Sequence, residues 1–415
     1  MKAIGIDIGT TSVCGVIIDA QSGALIKSKT VDSNAFIKTE KAYEKIQSAE
    51  KIIKLATEIL DELITADTAV IGVTGQMHGI VYYDKNGNPV SPLYTWQDGR
   101  GDLPYKNTTY AGFLGSHTGY GNVTDFYNRE NGLVPEDSSS YCTIHDLFVM
   151  QLCGLSSAVM HISDAASFGL FDLESGSFSN GFAIAGNYKN IPVSVAIGDN
   201  QASVFSSISS EEDILLNVGT GSQISLISNK PINGKDIETR PFFDGKYLIV
   251  GAALCGGRAY ALLKNFYESF LKYTSVRDED VYAIMDKMTE SATQPLAVDT
   301  RFSGTRADET VRGSVNNISA ENFTPENLTK GLLVGMVDEL YDMYAQTGIT
   351  KSGLVGSGNG IRKNRNLVKI SEEKFGTDMK IPAHTEEAAF GAALYGAVAS
   401  GLFKTADEAR RLIKF

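Results

Sequence analysis

Lys2-Ala-Ile-Gly-Ile-Asp-Ile-Gly-Thr-Thr-Ser-Val-Cys-Gly-Val-Ile-Ile-Asp19 opens the chain, and its reading decides the fold. Two β-branched runs, Ile4 to Ile8 and Val13 to Ile18, flank Gly9-Thr10-Thr11-Ser12. Apolar runs of this length around a glycine turn predict a β-hairpin. Such a turn presents backbone N–H groups and hydroxyls, which suit an anion such as a phosphate. Asp7 ends the first strand beside the turn, where a carboxylate can hold a metal ion or its waters. By itself the pattern is unspecific, because glycine-threonine hairpins are common.

An echo half a chain later gives it weight. Ile214-Leu-Leu-Asn-Val-Gly-Thr-Gly-Ser-Gln-Ile-Ser-Leu-Ile227 repeats strand, glycine turn and strand, with Gly219, Thr220 and Gly221 in the turn. Asn217 precedes Gly219 by two positions, as Asp7 precedes Gly9. Two such hairpins predict a duplicated domain, each half offering one hairpin to a shared nucleotide cleft.

The bulk numbers are compatible with this. At 415 residues, 43% hydrophobic and 21% charged, the chain is long enough for two domains with ample core. A formal charge of −12 argues against nucleic acid or an anionic membrane as partner. Met1 runs directly into a strand without a basic leader, and no apolar run approaches the roughly 18 residues that span a bilayer. Cys14, Cys142, Cys153 and Cys255 are scattered, without zinc spacing, so they read as reduced core thiols of a cytoplasmic protein.

Along the chain, Asp19 to Gly23 turns into a third strand, Leu25 to Thr30, giving an antiparallel meander. Residues 39–65 read as one amphipathic helix with Ile46, Ala49, Ile53, Ala56, Leu60 and Leu63 on one face. Thr68 to Thr74 is a buried strand ending in Gly75-Gln-Met-His-Gly79, and residues 102–140 read as loops and short helices around a site. Ile144 to Leu152 is a helix, Ser163 to Asp172 a turn and strand, and 174–190 a polar link. The acidic Ser209 to Asp213 marks the expected boundary between domains 1–210 and 211–415. A final helix from Glu386 to Ser400 carries so many Ala and Gly residues that it must approach another backbone closely.

Gly198-Asp-Asn-Gln201 follows a strand and opens a helix, the place where α/β proteins hold ligands. A lone Asp there is as a rule a helix cap. Between two phosphate turns, however, Asp199 is a candidate base for an alcohol, since phosphoryl transfer asks for positioning more than strong basicity. Gln76-Met-His78 and Trp96-Gln-Asp-Gly-Arg100 combine directional polar groups with one indole face, a mixture that suits a sugar. Each of these residues alone has an ordinary structural reading. Gly356-Ser-Gly-Asn-Gly360 is a glycine loop that lets backbone approach a ring or ribose. His145, His161 and His384 are expected to be structural.

Taken in order, Gly5-Ile-Asp-Ile-Gly-Thr-Thr-Ser12, the motifs at 75–79, 96–100, 198–201, 217–222 and 356–359, and Glu386-Glu-Ala-Ala-Phe-Gly-Ala-Ala-Leu394 resemble the FGGY carbohydrate kinases over nearly the whole chain. Thr95 to Arg100, Gly-Asp-x-Gln and Pro241 to Tyr247 are most similar to the sedoheptulokinase branch, whereas the motif at 75–79 also occurs in xylulokinases. The resemblance implies an α/β fold of two actin-like (ribonuclease H-like) domains, each a mixed sheet flanked by helices, with a central cleft where sugar and ATP meet. It implies Asp199 as catalytic base and places Mg2+ at Asp7 and Asp199. It assigns Asp7, Gly9, Thr10, Thr11, Gly219, Thr220 and Gly221 to the ATP–Mg2+ site, Asp7 near the magnesium and the two glycine turns on phosphate, and Gly358 and Asn359 to adenosine. Gln76, Met77, His78, Trp96, Asp98, Tyr120 and Asn200 fall where the family binds sugar. The implied activity is transfer of the γ-phosphate of ATP to a terminal hydroxyl of a ketose, sedoheptulose first and xylulose next.

Three departures bear on this. Cys14 stands where glycerol kinases carry an arginine, and the lysine-rich signature before Asn128 is missing. The link from Phe178 to Ile191 is shorter than the family's. A reduced helical layer would alter cleft closure or leave a surface that a homodimer covers, which keeps open a catalytically impaired sugar and ATP sensor. A sugar-indifferent actin-like ATPase is disfavoured by the paired motifs at 76–78 and 96–100.

Overall fold

The computed structural model describes residues 1–173, 178, 181–274, 280–305, 308 and 310–415. The chain forms two compact units. Unit 1 comprises Met1–Ser209, Pro241–Lys246 and Glu386–Lys414; unit 2 comprises Ser210–Arg240, Tyr247–Thr385 and Phe415. The chain passes from unit 1 to unit 2 after Ser209, and it departs from a single cut at 210/211: Pro241–Lys246 and the C-terminal helical segment return to unit 1.

In unit 1, β1 (Lys2–Ile8), β2 (Ser12–Asp19) and β3 (Leu25–Asp32) form the expected meander. Helix α1 (Ala49–Leu63) leads to β4 (Thr68–Gly75), which lies parallel to β1. After α2 (Ile144–Cys153) and α3 (Ile162–Ser167) come the hairpin β5 (Ile184–Tyr188) and β6 (Ile191–Ser194), then β7 (Ile197–Gly198) and α4 (Asp199–Ser207). The sheet order is β5-β6-β4-β1-β2-β3, with β7 also paired to β4.

Unit 2 repeats the plan. β8 (Asp213–Val218) and β9 (Ser222–Ser228) make the second hairpin, followed by β10 (Ile237–Pro241) and β11 (Tyr247–Ala253). Helices α5 (Gly256–Leu271) and α6 (Pro325–Gln346) precede β12 (Gly353–Ser357), α7 (Gly358–Lys363) and β13 (Met379–Lys380). The order β10-β11-β9-β8-β12-β13 has β8 antiparallel to β9 and parallel to β12, as β1 is to β2 and β4. Asp7 pairs across the ladder with Cys14 and Thr74; Asn217 pairs with Gln223 and Ser357. The duplication read from the two glycine turns thus extends to single register positions.

Period-2 alternation divides β1 between two faces. Ile4, Ile6 and Ile8 enter a core with Ile52, Ile53, Ala56, Ile59 and Leu60 of α1. Gly5 faces the last long helix, α8 (Glu387–Ala399). A Cβ on Gly5 would meet the Ala389 carbonyl oxygen at 1.8 Å, and one on its register partner Gly72 would meet that of Ala392 at 1.8 Å. On the far side, a Cβ on Gly391 would lie 1.9 Å from the Ala202 carbonyl oxygen in α4. The small residues of α8 therefore serve close packing, as expected.

Two expected elements differ. The helix begins at Ala49, not residue 39, with Ser48 as its cap. The backbone before it is recruited elsewhere: Asp98 accepts from Lys45 N–H (2.9 Å), Tyr43 carbonyl from Gly99 N–H (2.8 Å), and Ile46 pairs with Tyr94. Ile162–Ser167 is a helix where a turn and strand were expected, capped by the His161 ring accepting from Ser163 N–H. The polar link at 174–190 lies in part outside the described residues; its described end forms β5.

Candidate active site

The C-terminal ends of three adjacent parallel strands carry the unit 1 candidates. Ile8 of β1 is in register with Gly75 of β4, and Gly75 with Gly198 of β7. Gly9-Thr10, Gln76-Met77-His78 and Asp199 therefore leave the sheet along one edge, where open α/β sheets bind ligands. Asp199 is the first residue of α4.

Asp7 is the electrostatic singularity of this edge. Burial pushes its carboxyl up to about 8, with the charges of Asp199 and Glu386 adding to the rise. Its Oδ1 has no hydrogen-bond partner among the described residues. A buried, unsatisfied carboxylate beside two further carboxylates fits a divalent cation, which supplies the missing partner and offsets the repulsion. Glu386 also accepts from the Cys14 thiol at 3.2 Å, and burial raises that thiol to about 12. The sequence reading assigned Glu386 no role, although it lies within a quoted motif. Its approach to Asp7 depends on α8 returning to unit 1.

The first glycine turn is tied to the sugar candidates. Trp96 Nε1 donates to Thr10 Oγ1 at 3.0 Å, and Thr10 Oγ1 donates to Gln76 Oε1 at 3.3 Å. Gln76 Nε2 reaches Gln47 Oε1 at 3.1 Å, and Gln47 Nε2 donates to the Thr10 carbonyl at 2.6 Å. This ring of amides fixes the turn while the Trp96 indole stays 47% exposed, an apolar face at hand for a sugar. His78 takes a left-handed backbone (φ 72°) and stacks on Tyr120, ring centroids 4.3 Å apart and 11° from parallel. Its Nδ1 donates to the Ser167 carbonyl at 2.7 Å, which fixes the tautomer. Asn200 follows Asp199 in the first turn of α4, half-buried.

Two sugar candidates are enclosed by protein. Asp98 is fully buried; it accepts from Arg100 Nε at 2.6 Å and from the Arg100 and Lys45 N–H groups. Arg100 in turn donates to Asn128 and lies over the Tyr94 ring, 4.2 Å from its centroid. A carboxylate so enclosed holds its loop. Met77 is 4% exposed, and a Cβ on Gly198 would lie 2.6 Å from its sulfur. It packs beneath the residue preceding Asp199 and positions that turn.

In unit 2, three glycine segments converge. Gly219 N–H donates to the Gly221 carbonyl (2.9 Å), and the N–H groups of Gly257 and Arg258 donate to the Gly219 and Thr220 carbonyls at 3.0 and 2.9 Å. A Cβ on Gly256 would sit 2.4 Å from the Gly221 carbonyl carbon, and one on Gly358 (φ 82°) 2.6 Å from the Val218 oxygen. Gly256 and Gly257 belong to this candidate nucleotide cradle, and the signal that could have found them is a Gly-Gly pair opening a helix. Asn359 lies in the first turn of α7. Asn217, at the position matching Asp7, donates to Ser357 Oγ at 2.7 Å. A separate cavity of about 370 Å³ is lined by Asp236, Asp299, Asp338, Glu339 and Asp342 against one Arg301. Five carboxylates repel a triphosphate, so the glycine cradle is the better nucleotide candidate.

A duplicated mixed sheet whose hairpins carry glycine-threonine turns defines the actin-like, two-domain class. The sequence pattern of the FGGY N-terminal domain matches residues 2–107 and that of the C-terminal domain residues 214–400; the chain belongs to the FGGY family of carbohydrate kinases. It is 29% identical to the sedoheptulokinase of Mus musculus over 94% of this chain and 96% of that one. It is 23% identical to a xylulose kinase of Staphylococcus epidermidis over 97% and 89%. The xylulose kinase structure from Rhodospirillum rubrum superposes with a TM-score of 0.87 at 18% identity, over 100% of this chain and 93% of that one, and so shares the fold. Among the described residues no helix is long and apolar enough to cross a membrane.

Proposed function

We propose that this sugar kinase uses ATP and Mg2+ to phosphorylate the terminal hydroxyl of a ketose, sedoheptulose before xylulose. One observation carries the reading: the register Ile8–Gly75–Gly198 lines up a buried carboxylate, a sugar-type cluster and a helix-opening Asp on one sheet edge. Preference for the seven-carbon sugar is supported by the higher identity to mouse sedoheptulokinase over nearly its full length.

In this reading residues 1–210 carry the sugar site and first phosphate turn, and 211–415 the second turn and the adenosine site at Gly358 and Asn359. Asp199 accepts the proton of the attacking hydroxyl, and Asn200 and His78 orient the sugar. Trp96 covers its C–H face, and Tyr120 supports the His78 ring. Thr10, Thr11 and the Gly219–Gly221 turn hold phosphate oxygens. Asp7, with Asp199, would hold magnesium, which when bound neutralises charge on the transferring phosphoryl group. Incubation with ATP, Mg2+ and a ketose panel, following ADP, tests the proposal. Sedoheptulose should give the highest kcat/KM. Faster turnover of xylulose would reassign the substrate, and sugar binding without ADP would make the protein a sensor.

A further inference from the structure

Beneath this edge lies a second cluster, formed by His145 and Asp146 at the start of α2 and by Asp164 on α3. All three side chains are fully buried. One ligand-type atom from each lies within 4.8 Å of the other two. We propose that it is a metal site, holding one divalent transition ion of the zinc, manganese or iron(II) type, separate from the magnesium of the nucleotide.

The contact between His145 Nε2 and Asp164 Oδ1 is the first argument. The atoms are 3.1 Å apart, yet neither is in a hydrogen bond among the described residues, and the same holds for His145 Nδ1, Asp146 Oδ1 and Asp164 Oδ2. Buried polar atoms are satisfied as a rule, and one nitrogen of His145 with one oxygen from each Asp can share a common partner. A tetrahedral ion with bonds of about 2.0–2.1 Å sets its ligand atoms roughly 3.3 Å apart, close to the His145–Asp164 separation of 3.1 Å.

Charge balance is the second. Two carboxylates and a neutral imidazole total −2, which a dication cancels without leaving buried charge. The imidazole selects transition ions over magnesium or calcium. Thr143 supplies the outer support: its Oγ1 donates to Asp146 Oδ2 at 2.7 Å and accepts from Asp146 N–H at 3.1 Å, orienting the carboxylate.

The position suggests what the ion does. The His145 ring lies under Gly75, where a Cβ would come 2.8 Å from Nδ1, and Ser163 Oγ, beside Asp164, accepts from Gly198 N–H at 3.1 Å. The cluster thus underlies both turns that carry Gln76 and Asp199. A cation there pins them together and offsets the repulsion between Asp164 and Asp199.

The test is metal analysis of the purified full chain. About one equivalent of transition metal should survive gel filtration and fall below about a tenth in His145→Gln and Asp164→Asn. Asp7→Asn should keep it, which separates this site from the magnesium position. Chelation of the wild-type chain should lower its melting temperature, and stoichiometric Co2+ should restore it with a visible d–d band. Should the variants fail to fold, this chelation and reloading experiment decides alone. Native protein that is metal-free and binds no Co2+, or metal retained by both variants, overturns the proposal.

Discussion

At the residue scale, the proposal turns on where each carboxylate stands. Asp98 and Asp199 both follow strands in motifs of similar appearance. Asp98 is held by Arg100 in a buried loop, whereas Asp199 stands at a helix start beside the buried Asp7. Replacing Asp199 by Asn should lower kcat by roughly a thousandfold, within the range of a lost general base, while affinity for a non-hydrolysable ATP analogue changes less than about twofold. Retained turnover would remove Asp199 as the base. His384 offers a pH prediction in unit 2. Burial, aided by Arg362, lowers its pKa from 6.5 to about 4. The unfolded chain therefore binds the proton first on acidification. The stability contributed is complete above pH 6.5 and is lost as pH falls through about 4, with a slope of up to about 1.4 kcal/mol per pH unit. His384→Gln should flatten the melting temperature between those limits; an unchanged acid limb would assign it to other groups.

At the element scale, turns do the work and neighbouring elements shape them. The hairpin at Gly219–Gly221 is held by the start of α5, whose Gly256 and Gly257 leave no room for a Cβ. Gly256→Ala should push α5 from the hairpin and weaken the ATP analogue by about tenfold or more, equal to about 1.4 kcal/mol, with sugar affinity unchanged. Isothermal titration of each ligand reads this directly, and unaltered nucleotide affinity would move the cradle elsewhere. Both hairpins were legible because a glycine turn between β-branched runs is a local signal. Helix α1 was legible on its apolar face but not at its start. Residues 43–47 give their backbone to the strand and loop at 93–99, and helical periodicity cannot register a competing partner fifty positions away.

At the scale of the whole molecule, the return of α8 to unit 1 is decisive. It brings Glu386 to Asp7 and seats Ala389 and Ala392 on the glycine pair Gly5–Gly72. A fragment of residues 1–210 should therefore lack a cooperative thermal transition. The same fragment joined by a flexible linker to 386–415 should regain one, followed by circular dichroism and protease resistance. Independent folding of 1–210 alone would show that α8 is dispensable to that core. The charge balance of the His145 cluster belongs to this scale too. His145 and Asp146 are adjacent in the chain, but their partner arrives eighteen positions later on a helix that periodicity read as a turn and strand.

The sequence by itself determined the duplication, the two glycine turns, the strand-end placement of Asp7, Gln76 and Asp199, and the close-packed character of the last helix. Each of these is written in residues near one another, as a period or a turn. Tertiary structure alone decided which unit receives α8, which side of the Trp96–Arg100 loop faces inward, and which buried acids share a centre. Those outcomes depend on packing and on the field of charges distant in sequence, and a side chain's surroundings are set only when the backbone has closed around it.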